Sequence, residues 1–66
     1  MRRQIIGDRL RALRGSMSRE ELGLKLGVTA QAIYNYEAGL RVPTDELKSK
    51  IASIFGKSVQ EIFFDH

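Results

Sequence analysis

Sixty-six residues that include no cysteine and a single histidine, His66, leave room for one small domain without disulfides, thiolate metal sites or a His-based ligand set. The net charge of +3 is unevenly spread: six arginines (Arg2, Arg3, Arg9, Arg11, Arg14, Arg19) face Asp8 alone up to residue 19, a net +5, while residues 20–66 carry −2. A polyanion such as nucleic acid suits that basic end, the plainer alternative being a solvated helix face.

Glycine ends helices and serine or threonine starts them, and four such pairs punctuate the chain: Gly15 with Ser18, Gly27 with Thr29, Gly39 with Thr44, and Gly56 with Ser58. They predict five helices. The first, 4–14, carries Ile6, Leu10 and Leu13 on one face. The second, 18–26, opens on the capping box Ser18-x-x-Glu21 and places Leu22 and Leu26 inward. In the third, 29–38, the inward residues are Ile33 and Tyr36. The fourth, 44–55, follows Pro43, has Asp45 and Glu46 in its first turn, where they suit the dipole, and offers Leu47, Ile51, Ile54 and Phe55. The fifth, 58–63, repeats the capping box at Ser58 and Glu61 and adds Val59 and Ile62. Met17 and Val28, in the intervening turns, plug gaps between helix ends. No segment alternates as a strand does, no run approaches the ~20 apolar residues of a membrane span, and Ile5-Ile6 after Met1-Arg2-Arg3 is too short for a secretion signal. A cytoplasmic, all-α, single domain over 1–66 is expected.

Only Gly27 and Val28 separate Leu26 from Thr29, so the second and third helices must cross steeply. Gly23 is placed to let the third helix approach; a tolerated surface glycine is the alternative, at a cost of about 1 kcal/mol against alanine. With Ile33 and Tyr36 inward, Ala30, Gln31, Tyr34 and Asn35 turn outward. Gln and Asn can each pair with the N6 and N7 of adenine in a major groove, and alanine can touch a thymine methyl. Tyr34 can stack or bond a phosphate. Phosphate contacts are expected on both sides of this face, from Ser18 and Arg19 at the second helix's start and from Arg41 with the amides near Gly39 and Leu40. Arg2 and Arg3 would contribute as a flexible arm. Arg14 is assigned to pair with Glu37, with Arg11 as the competing partner.

The stretch SREELGLKLGVTAQAIYNYEAGLRVP resembles the helix-turn-helix of the phage-repressor and Cro-like family, the XRE-type regulators. LRALRG before it and LKSKIASIFGKSVQEIFF after it match that family's first, fourth and fifth helices. The resemblance implies a compact, lambda-repressor-like five-helix bundle whose third helix enters the major groove, usually as a homodimer on a palindromic operator. It places base contacts on Ala30, Gln31, Tyr34 and Asn35 and a phosphate contact on Arg19. The family usually has glutamine where Arg19 stands and more often alanine at Gly23; Leu24 is apolar where the family tends to be polar.

The expected function is sequence-specific regulation of transcription as a repressor, without enzymatic activity, cofactor, metal or membrane partner. A monomer of this size would bury too little surface for tight specific binding, so pairing through Leu40, Val42, Phe63 and Phe64 is expected. The alternative for the phenylalanines is that Phe63 closes the core and Phe64 covers its edge. An antitoxin or adaptor that uses the same fold to hold a protein partner is the competing function.

Overall fold

Four hydroxyl side chains start four helices. Ser18, Thr29, Thr44 and Ser58 each sit in extended backbone and accept a hydrogen bond from the amide three residues on, at 3.0–3.3 Å. The computed structural model describes residues 2–64, and of Arg2 the backbone alone. Its elements are α1 (Arg2–Arg14), α2 (Arg19–Leu26), α3 (Ala30–Glu37), α4 (Asp45–Phe55) and α5 (Val59–Phe63), with no strand among the described residues. The protein is all-α, and the predicted helices differ from these by no more than two residues at either end. The reciprocal bond of a full capping box closes at Ser58, whose amide donates to Glu61 Oε1 at 2.8 Å. At Ser18 only the hydroxyl half forms. His66 lies outside the described residues, as does the side chain of Arg2.

One expectation fails at the N-terminus. Helical hydrogen bonding already begins at Arg2, so Arg3 belongs to the first turn of α1 rather than to a flexible arm.

The core is built from every element: Ile6 and Leu10 of α1, Leu22 and Leu26 of α2, Ile33 and Tyr36 of α3, Ile51 and Ala52 of α4, Ile62 and Phe63 of α5. Leu13, Met17, Val28, Leu47, Phe55 and Val59 pack against it half-buried. Ile54 does not join them. The buried face of α4 centres between Ile51 and Ala52, and 100° per residue carries Ile54 past its edge, where it is 37% exposed.

Two buried glycines set the helix crossings that aim α3. A Cβ on Gly23 would lie 2.6 Å from the Val28 carbonyl oxygen, so the absent side chain is what lets the turn fold back on α2. Gly27, at φ 75°, makes that turn in the left-handed region, and the Val28 amide reaches Gly23 O at 2.9 Å. Gly7 does the same for α1 against the end of α3: its Cβ would collide with the Glu37 carbonyl and lie 2.8 Å from Tyr36 O. Arg9 closes the bundle by donating to the carbonyls of Ile62 and Phe64 at 3.1 and 3.2 Å.

Candidate nucleic-acid interface

Because Ile33, Tyr36 and Glu37 face inward, the helical period leaves Gln31 and Tyr34 exposed and Ala30 and Asn35 half-exposed on one outer strip of α3. Gln31 Nε2 donates to Asn35 Oδ1 at 3.2 Å, an i,i+4 pair that holds both amides side by side. Gln31 Oε1 and the Asn35 amino group make no further side-chain hydrogen bond among the described residues, an acceptor beside donors, which is the pattern an adenine edge requires.

On one flank lies a cleft of about 450 Å³, with Arg14, Ser18, Arg19 and Glu20 on one side and Ala30, Gln31 and Tyr34 on the other. The Ser18 hydroxyl is engaged as the cap of α2, accepting from the Glu21 amide. The amides of Arg19 and Glu20 have no intramolecular acceptor and stand at the positive end of the α2 dipole. Glu20 places a carboxylate in the same cleft and opposes an incoming phosphate.

Glu37, on the neighbouring groove that shares Arg19 and Tyr34 with this cleft, is 6% exposed and held by two arginines. Arg14 donates through Nε to Oε2 at 2.6 Å and through Nη2 to Oε1 at 3.2 Å, while its Nη1 reaches the Met17 carbonyl at 2.6 Å. Arg19 Nε also donates to Glu37 Oε1, at 3.2 Å. Arg11 is exposed and is not a donor to Glu37; it lines a neighbouring groove with Gln4, Asp8, Arg19 and Tyr34. The hydrogen bonds that Arg14 donates to Glu37 raise its pKa above the ordinary value against the opposing effect of burial, so this guanidinium stays charged. Two cations against one carboxylate leave the trio with a net +1. The Arg19 guanidinium also lies over the Tyr34 ring, 5.3 Å from its centroid.

The other flank departs from expectation. The amides of Gly39 and Leu40 cannot hold a phosphate, because they terminate α3: Gly39 N–H bonds Tyr36 O at 3.3 Å and Leu40 N–H bonds Asn35 O at 2.9 Å. The Arg41 side chain remains exposed there. Gly39 packs on the backbone of Gln4, which sets the start of α1 and the exposed Arg3 beside the α3–α4 turn.

Of the apolar dimer candidates, Leu40, Val42 and Phe64 are exposed at 61, 38 and 47%. Phe63 is not available: it is 2% exposed, packed in the core with Lys48 Nζ 5.6 Å above its ring. Leu24 is 84% exposed, farther along α2. Sequence reasoning missed Gly7, although the rule applied to Gly23, a mid-helix glycine directly after an inward residue, would have found it. The bond from Arg19 to Glu37 had no local signal, since 18 residues and a change of helix separate the pair.

The described residues contain no group of His, Cys, Asp or Glu able to hold a metal ion and no helix long and apolar enough to cross a membrane. The profile of the helix-turn-helix family matches residues 9–62. The chain is 42% identical over 48 residues, 73% of each protein, to an HTH-type transcriptional regulator of Methanocaldococcus jannaschii, MJ0272. Its structure is similar to the restriction-modification controller protein C.AhdI of Aeromonas hydrophila, at 27% identity and a TM-score of 0.81, covering 92% of this chain and 91% of that one. It also shares its fold with the SOS-response transcriptional repressor LexA of Eubacterium rectale, at 17% identity and a TM-score of 0.88, covering 97% of this chain and 70% of that one.

Proposed function

The chain belongs to the helix-turn-helix family of XRE and Cro/C1-like DNA-binding transcriptional regulators, and on that premise we propose that it represses transcription in the cytoplasm as a homodimer on a palindromic operator. The single domain docks α3 in the major groove, where Gln31 and Asn35 read bases, Ala30 and Tyr34 add contacts to methyl groups or stacked edges, and Arg19, Arg41 and Arg3 hold phosphates. Arg2, whose side chain lies outside the described residues, joins the phosphate set by its place in the basic segment. The observation that carries this reading is the Gln31–Asn35 pair: two amides fixed to each other on the one strip of α3 that the core leaves free. Leu40, Val42 and Phe64 supply the apolar contact between copies.

Enrichment of duplexes from a random pool tests the reading. The expected result is an inverted repeat whose half-sites lie about one helical turn, roughly 34 Å, apart. A pool that stays random after repeated rounds contradicts base reading, and enrichment of a single unrepeated half-site contradicts the dimer.

A further inference from the structure

We propose that Glu37, Arg19 and Tyr34 form one rigid unit in which a buried carboxylate positions the guanidinium and the guanidinium positions the ring, so that phosphate contact and base reading become geometrically coupled. The inference rests on the DNA-reading function above and adds to it a positioning residue, Glu37, that itself touches no DNA. An exposed arginine ordinarily samples many rotamers and contributes charge without direction. Arg19 is different: its Nε–H is anchored on Glu37 Oε1 at 3.2 Å, and its guanidinium carbon sits 5.3 Å from the Tyr34 ring centroid. With Nε engaged, the two Nη groups carry no bond to Glu37, and Arg19 lines the same cleft as Ser18, Glu20, Ala30, Gln31 and Tyr34. A phosphate bound there would therefore fix the ring of Tyr34 relative to Gln31, three residues before it on the same helix.

Charge alone cannot do this. Lysine carries the same formal charge but has no Nε–H to donate along a fork and no plane to stack on a ring. Arg14 retains two bonds to Glu37 without Arg19, so the core of the domain does not depend on the unit and substitutions at Arg19 can be read in folded protein.

The test measures binding to the duplex enriched by wild-type protein and to a scrambled duplex of equal composition, over a salt series. Arg19→Lys is expected to lower the ratio of the two affinities about tenfold while keeping the salt slope, and Arg19→Gln to lower the ratio similarly and also reduce the slope by about 0.9. Tyr34→Phe, which keeps the ring, is expected to retain most of the discrimination that Tyr34→Ala loses. In the free protein, Arg19→Lys should shift the Tyr34 ring proton resonances. A wild-type ratio in Arg19→Lys, with the wild type still selecting its duplex, overturns the coupling and leaves the proposed function standing. A wild type that selects nothing overturns both.

Discussion

Replacing Gly7 by alanine sets backbone propensity against packing, because the two act in opposite directions. In a solvent-facing helix position the exchange stabilises by about 1 kcal/mol. In α1 the new methyl would collide with the Glu37 carbonyl and lie 2.8 Å from Tyr36 O, against the 3.4 Å at which ordinary van der Waals contact begins. The helices must part by about 0.6 Å or more, and since the opposing atoms are backbone, no side-chain rotation relieves the contact. Overpacking of this kind costs about 1–3 kcal/mol. With rigid neighbours placing it near the upper end, the net effect is a loss of about 1–2 kcal/mol, or roughly 5–15 °C in melting temperature for a domain this small. Thermal and urea unfolding followed by circular dichroism measure it. Ala12→Gly, at an exposed site on the same helix, supplies the propensity calibration, with an expected loss of about 1 kcal/mol. If Gly7→Ala melts at or above the wild type, the close crossing of α1 and α3 is wrong.

Three further outcomes follow from the packing and the charges. Arg14→Met should destabilise by about 3 kcal/mol, the low end for breaking a buried pair, because Arg19 keeps hold of Glu37 Oε1. Since the Arg14 pKa is raised, its contribution is complete at every pH below its unfolded value and is lost only as pH rises through the higher folded one; the loss in Arg14→Met should therefore be equal at about pH 6 and 9, and a steep difference would argue against it. Phe63→Ala should cost about 3–5 kcal/mol, a large part of the stability available to 66 residues, whereas Phe64→Ala should cost less than about 1 kcal/mol and instead weaken self-association in sedimentation. Gly23→Val should destabilise by more than about 2 kcal/mol through its contact with Val28 O, and an unchanged melting curve would remove the close approach.

The helices were legible because their punctuation is local: a glycine that stops and a hydroxyl that caps act within five residues of each other. The outward strip of α3 was legible for the same reason, since placing Ile33 and Tyr36 inside leaves Ala30, Gln31, Tyr34 and Asn35 nowhere else to point. What the sequence concealed lies between elements. Phe63 and Phe64 are adjacent and chemically identical, and only the docking of α5 on α1 and α4 decides that one is core and the other surface. Ile54 satisfies the helical period yet sits beyond the rim of a face centred between Ile51 and Ala52, and the small side chain of Ala52 carried no strong signal. Arg19 looked like a free cation because its anchor, Glu37, reaches it only once α2 and α3 have crossed. The amides of Gly39 and Leu40 looked available because the turn that consumes them depends on how α3 ends.

The proposed function rests on base reading by Gln31 and Asn35, with the arginines around them positioning the backbone. The most direct measurement is the affinity of Gln31→Ala and Asn35→Ala for the selected duplex and for its variants at each base pair. The expected result is a loss of about 1–3 kcal/mol on the selected duplex, an unchanged melting temperature, and relaxed preference at one base pair and its symmetry mate, with the other positions and the salt slope unaffected. A uniform weakening across all sequences, or full retention of preference in both variants, would contradict it.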